Sequence, residues 1–160
     1  MEKLVYATRR ERFNAAHKLW HDEWDEAKNF ETFGKCSNPN WHGHNYELFI
    51  TVKGVPDATT GYCMDLKYLS DIVKKNVISK LDHKNLNMDV EFMKGMKTST
   101  ENVAIAIWEQ LEDLVNEKGC LLHCIKVTET ENFVSPSDFA NLFKLLPIYF
   151  PYPPLSPISF

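Results

Sequence analysis

The chain has 160 residues, 44% of them hydrophobic and 12% aromatic, with a formal net charge of −4. That suits one domain with a real core; the scattered basic residues argue against a nucleic-acid surface, and the lack of a run of about 18 apolar residues argues against a transmembrane span. Met1-Glu2-Lys3-Leu4-Val5-Tyr6 lacks the apolar core of a signal peptide, so a cytoplasmic setting is expected, with Cys36, Cys63, Cys120 and Cys124 as free thiols.

Leu4 to His17 reads as an extended strand with imperfect alternation. Trp20 to Phe33 is charged and aromatic without clean periodicity and reads as a loop holding one helical turn. Asn45 to Gly54 is a strand, with Tyr46, Leu48, Ile50 and Val52 alternating against Glu47, Phe49, Thr51 and Lys53. Pro56 to Gly61 is turn chemistry. Asp65 is placed to cap a helix whose stripe is Leu66, Leu69, Ile72, Val73, Val77 and Leu81. After a polar connection from Asp82 to Lys97, Thr98-Ser99-Thr100-Glu101 has the capping-box pattern. Behind it run Val103, Ala104, Ile107, Trp108, Leu111, Leu114 and Val115, and Gly119 ends the helix. Leu121 to Thr130 reads as a further strand. The tail from Leu145 is rich in proline (Pro147, Pro151, Pro153, Pro154, Pro157) and reads as extended or disordered. Helices grouped between strands predict an α+β architecture, an antiparallel sheet covered on one face by two helices.

The chemistry concentrates in Cys36-Ser37-Asn38-Pro39-Asn40-Trp41-His42-Gly43-His44-Asn45-Tyr46. If a strand begins here, His42 and His44 share a face and can hold one metal ion between them. His17, at the end of the preceding strand, offers a third imidazole. Three imidazoles with a fourth position open describe a catalytic zinc site, although any single histidine is more often an ordinary surface or hydrogen-bonding residue. His21, His83 and His123 compete as ligands, and the same imidazoles suit other divalent ions. Cys36 lies in a polar loop beside Lys35, where a lowered thiol pKa would make it a base or nucleophile; the ordinary alternative is an inert buried thiol. Cys63 reads as packing. Asp82-His83 is either plain loop composition or a carboxylate orienting an imidazole for proton transfer. Glu101 is accounted for by the capping box. Alternation puts Glu129 on the buried face with Ile125 and Val127, where a carboxylate needs a partner such as an N–H pair on a heterocycle, unless it reaches solvent at the strand end.

These stretches together resemble the 6-pyruvoyl-tetrahydropterin synthase family, over roughly Arg12 to Asn132. Phe13-Asn14-Ala15-Ala16-His17 resembles its first zinc motif, and Phe33 to Tyr46 its cysteine and double-histidine motif. Leu81-Asp82-His83-Lys84-Asn85-Leu86-Asn87, Thr98 to Ala104 and Val127-Thr128-Glu129-Thr130 follow in the same order. The resemblance implies a tunnelling fold of order ββααββ assembled as a homohexamer, a dimer of trimers with sites near subunit interfaces. It implies a zinc-dependent lyase, with magnesium assisting, that converts 7,8-dihydroneopterin triphosphate to 6-pyruvoyl-tetrahydropterin and triphosphate on the route to tetrahydrobiopterin. Carried over by position, His17, His42 and His44 are the zinc ligands, one ion per subunit. Cys36, Asp82 and His83 form the proton-transfer set. Glu129 anchors the pterin, and Glu101, Thr100 and Ser99 line its pocket.

The alternatives are a 6-carboxy-tetrahydropterin synthase, a side-chain-cleaving pterin enzyme, and a non-catalytic zinc or pterin-binding module. The Cys36 to His42 spacing and the cysteine itself favour the biopterin-type enzyme. Two departures stand out. Trp41 occupies a position where related sequences commonly carry glycine. After Glu131-Asn132 the family pattern gives way to an atypical tail, so the expected division is a synthase-like domain at 1–134 and a proline-rich tail at 135–160.

Overall fold

The computed structural model describes residues 3–130. In chain order its elements are β1 (Val5–His17), α1 (Glu26–Phe33), β2 (His42–Gly54), α2 (Leu66–Val73), α3 (Ser79–Leu81), β3 (Lys84–Asn85), α4 (Thr100–Asn116) and β4 (Leu121–Thr128). A π turn at Lys74–Ile78 joins α2 to α3, so Leu66 to Leu81 runs as the one helical stretch its apolar stripe predicts. Asp65 caps it, its carboxylate accepting from the backbone N–H groups of Lys67 and Tyr68.

The sheet has the order β3-β1-β2-β4. β1 and β2 pair antiparallel over their full lengths, from Val5 opposite Gly54 to His17 opposite His42. β4 pairs antiparallel with the other edge of β2, with a register shift between Thr51 and Val52. The period of two resolves into a buried face bearing Tyr46, Leu48, Ile50 and Val52 and an opposite face bearing Glu47, Phe49, Thr51 and Lys53. Onto the buried face fold Leu69, Val73 and Val77 of the first helical stretch and Val103, Ile107, Leu111 and Val115 of α4, all within a few percent of full burial. Leu122, Ile125 and Val127 of β4 complete this core.

Three expectations are corrected. The sheet is mixed rather than antiparallel, because β3 runs parallel to β1, Lys84 and Asn85 pairing with Ala15 and Ala16. Main-chain bonds from His83 N to Asn14 O (2.7 Å) and from Leu86 N to Ala16 O (2.8 Å) hold it there, and two residues are too few to show a period. Next, Trp20 to Phe33 is more than a loop, since α1 occupies eight of its residues. That helix has no apolar stripe to read. Asp25 caps it, and Asn29, fully buried, bonds through its amide nitrogen to the carbonyls of His21, Trp24 and Asp25. Finally, the capping register of α4 is shifted by one. Ser99 is the N-cap and accepts from Asn102 N, while Thr98 is buried and Glu101 is exposed. The strand continuation past Asn132 and the proline-rich tail at 135–160 lie outside the described residues.

The cap register is open to measurement. Ser99→Ala is expected to cost about 1 kcal/mol in urea unfolding, whereas Glu101→Ala stays within about 0.5 kcal/mol, as for an exposed residue with no capping bond. A larger loss from Glu101→Ala would restore the register read from the sequence.

Candidate metal centre

His17 is the last residue of β1, and His42 and His44 lie at the start of β2, all turned to the core side. Register makes them neighbours, since His17 faces His42 directly across the strand pair and Ala15 faces His44. The ring centroids of His17 stand 4.4 Å from His42 and 5.3 Å from His44, and His42 and His44 are 5.0 Å apart. Glu129 enters from just past the end of β4. One ligating atom from each of these four side chains lies within 4.8 Å of the others. Its Oε1 is 2.8 Å from His17 Nε2 and 2.9 Å from His44 Nε2.

The donor set fits a divalent cation. His17 Nδ1 lies 2.8 Å from the Thr98 carbonyl oxygen. A carbonyl only accepts, so Nδ1 carries the hydrogen and Nε2 presents its lone pair to the cluster. The buried nitrogens His17 Nε2, His42 Nδ1 and Nε2, and His44 Nε2 have no partner in hydrogen-bond geometry. Orphaned buried lone pairs are costly, and a cation held by His17, His42 and His44 removes that cost.

The electrostatics agree. Burial first, then the neighbouring imidazoles, hold His42 below its ordinary value; burial also lowers His44, against the pull of Glu129. Both are therefore neutral, the ligating form, at neutral pH. Glu129 is drawn down to about 2, chiefly by its contact with His17, with the Thr100 hydroxyl helping against burial. Thr100 Oγ1 donates to Glu129 Oε2 at 2.7 Å.

Cys36 sits half-buried on the 3₁₀ turn Gly34–Ser37, whose position is fixed by Leu19 N donating to Cys36 O at 2.9 Å. Tyr46 links it to the cluster. This phenol is 1% exposed, stacks on Phe13, meets the His17 and His44 rings edge-on, and has no hydrogen-bond partner for its hydroxyl. Burial raises its pKa, and the charges of Glu129 and Cys36 push it further, so its hydroxyl keeps its proton among these groups. The alternation marked Tyr46 only as core; a hydroxyl on an otherwise apolar strand face was the signal available. Thr98, whose carbonyl orients His17, carried no such signal.

Asp82 and His83 stand apart from Cys36: among the described residues no hydrogen bond or ion pair joins them to it. Asp82 Oδ1 accepts from Asn14 N at 2.8 Å, which lowers its pKa, and Oδ2 lies 3.0 Å from His83 Nδ1. His83 has a left-handed backbone (φ 57) and a side chain 82% exposed. A groove of about 930 Å³ has both Asp82 and Glu129 in its lining, together with Asn14, His44 and Lys126, a volume that suits a small ligand. Ser99 is occupied as a cap and Glu101 points outward. Of the competing histidines, His21 stacks on Trp24 and His123 lies against Tyr6, so neither joins the cluster.

Trp41 is left-handed (φ 67), the conformation glycine adopts without strain. Its ring covers Lys18 Nζ at 4.8 Å, and Trp20 covers the same ammonium at 4.6 Å. Two cation–π contacts, each worth about 0.5–1 kcal/mol when exposed, offset the roughly 1–2 kcal/mol of a left-handed side chain.

Comparison with known proteins points the same way. The 6-pyruvoyl tetrahydropterin synthase family profile matches residues 6–135. The 6-pyruvoyl tetrahydrobiopterin synthase of Dictyostelium discoideum is 42% identical over 132 residues, 82% of this chain and 94% of that protein. The human enzyme of that name is 41% identical over 125 residues, 78% of this chain and 85% of that protein. The solved structure of Caenorhabditis elegans 6-pyruvoyl tetrahydropterin synthase superposes with a TM-score of 0.75 at 38% identity, covering 81% of this chain and 91% of that one.

The site predicts a pH profile. His42 and His44 titrate below 6.5 when folded, so the unfolded chain takes up protons first as pH falls, and stability declines downward from about pH 6.5. Glu129 adds a second decline: its contribution is complete above about 4.5 and is lost as pH falls toward 2. Urea midpoints measured without metal should show both limbs. Added zinc should raise the midpoint at neutral pH and lose that effect in acid, where protons compete for the same nitrogens. A midpoint indifferent to zinc, or a gain that survives His42→Ala with His44→Ala, sinks the metal assignment.

Proposed function

The chain belongs to the 6-pyruvoyl tetrahydropterin synthase family, and we propose that it is the zinc-dependent lyase that converts 7,8-dihydroneopterin triphosphate to 6-pyruvoyl-tetrahydropterin with release of triphosphate. The observation that carries this reading is the convergence of three imidazoles with unpartnered buried nitrogens on one space beside Glu129, in a chain that keeps a cysteine at position 36.

A divalent cation held by His17, His42 and His44 supplies Lewis acidity toward the substrate's side-chain oxygens, which makes the adjoining C–H protons removable. Cys36, as thiolate, takes one of those protons. His83, oriented by Asp82 at 3.0 Å, returns a proton to the substrate. Tyr46, protonated and buried between Cys36 and Glu129, shields the thiolate from the carboxylate. Glu129, its Oε2 fixed by Thr100, accepts the N–H pair of the pterin ring and sets where the side chain falls relative to the imidazoles. Ser99 and Glu101 belong to the wall of that pocket.

The expected homohexamer, the cytoplasmic setting and the tunnelling fold are parts of the same proposal. Among the described residues β1 gives its outer edge to β3 only at Ala15 and Ala16. Val5 to Asn14 thus keep backbone donors and acceptors for a neighbouring strand. The exposure of His83 suits a site completed near a subunit interface. No helix among the described residues is long and apolar enough to cross a membrane.

One observation favours a second role for Glu129. Its Oε1 stands as close to the imidazole nitrogens as they do to one another, so it can serve as a fourth ligand. Glu129→Gln separates the roles. Loss of ring anchoring leaves zinc content intact and raises KM at least tenfold, whereas loss of a ligand lowers the zinc retained after dialysis.

Cys36→Ala is expected to reduce triphosphate release by at least a hundredfold while zinc content is unchanged. Equal rates for the two proteins, or no release from either, would leave a binding module in place of the lyase. Chromatography of the pterin products distinguishes 6-pyruvoyl from 6-carboxy and side-chain-cleaved pterins.

A further inference from the structure

At the end of the sheet away from the imidazoles, two thiols meet over a glycine. Gly54, which closes β2, pairs with Val5, while His42, at the other end of the same strand, pairs with His17. A Cβ on Gly54 would lie 3.0 Å from Cys120 Sγ and 3.1 Å from Cys63 Cβ, so the missing side chain leaves the room in which the two cysteines approach. Cys120 Sγ donates to the Cys63 carbonyl oxygen at 2.6 Å across 57 positions of sequence. Cys120 is buried, and Cys63, in the loop after Gly61, is half-buried. Burial, then the adjoining Cys63 thiol, raises Cys120 to about 11. Nothing in the proposed lyase chemistry uses either residue.

We propose that Cys63 and Cys120 form an oxidation site that closes to an intramolecular disulfide on reaction with a hydroperoxide. The more exposed Cys63 sulfur attacks a peroxide oxygen; the O–O bond breaks, giving a sulfenic acid and, with hydrogen peroxide, one water. Cys120 sulfur then attacks the Cys63 sulfur. The S–O bond breaks, and the departing hydroxide leaves as a second water with the Cys120 proton. Two thiols are oxidised and one peroxide is reduced. The bond ties the loop after β2 to the turn before β4 and encloses both core-forming helical stretches in one long loop, the arrangement in which a cross-link constrains the unfolded chain most.

The test uses the full-length zinc-loaded protein titrated with hydrogen peroxide. The expected product is monomeric in chain mass, roughly 2 Da lighter, and on non-reducing peptide mapping joins the Cys63 peptide to the Cys120 peptide. Its thermal midpoint is several degrees higher, the shift reverses with dithiothreitol, and zinc content does not change. Cys63→Ser, at a half-exposed loop position, should abolish the cross-link and the shift; Cys120→Ser, at a buried position, is the second variant. Sulfinic acid at Cys63 without a cross-link, pairing with Cys36 or Cys124, a bond between chains, or both thiols still alkylatable after excess peroxide would each overturn the proposal.

Discussion

The register between β1 and β2 governs the chemistry available to this protein. His17 faces His42 because the two strands pair without interruption from Val5 opposite Gly54. A slip of one residue would turn His17 to the opposite face of the sheet from His42 and His44. It would also expose Phe13 and Ala15, which are buried against Tyr46 and the helices. The apolar core and the imidazole cluster therefore demand the same alignment, and burial of one side of the sheet holds the ligands together without a metal ion to organise them.

The N-terminus of α4 completes what register begins. Thr98 orients His17 through its carbonyl, Ser99 caps the helix, and Thr100 fixes Glu129. Three consecutive residues thus join the helix to β1 and to the end of β4. Thr98 is itself held by bonds from its hydroxyl to Lys18 O and Asn87 Oδ1. The result is a cluster whose carboxylate stays ionised and whose imidazoles stay neutral, because each is partnered or sheltered by a group on a different element.

Much of this was legible in the residues. Alternation in Asn45 to Gly54 identified both the strand and its buried face, the Asp65 cap and the apolar stripes located the helices, and the His-x-His pair with His17 named three members of the cluster. Cys36, Asp82, His83, Thr100 and Glu129 were singled out as well. What escaped has a physical reason in each case. α1 is organised by one buried asparagine, Asn29, rather than by an apolar face. β3 consists of two residues held by hydrogen bonds to β1. The α4 cap slid by one position because Ser99 and Thr98 are both competent N-caps, and only the burial of Thr98 decides between them.

The amino-acid sequence by itself determined the period of each element, the chemistry of its candidate ligands and the order of its motifs, since these are properties of neighbours along the chain. Only the tertiary structure decided that Glu129 would lie against the imidazoles, that Tyr46 would stand between Cys36 and Glu129, and that Asp82 with His83 would remain at the surface away from Cys36. Those placements depend on strand pairing and helix packing between residues tens of positions apart. Local propensity carries no information about such distances, whereas the shared burial of the sheet face determines them.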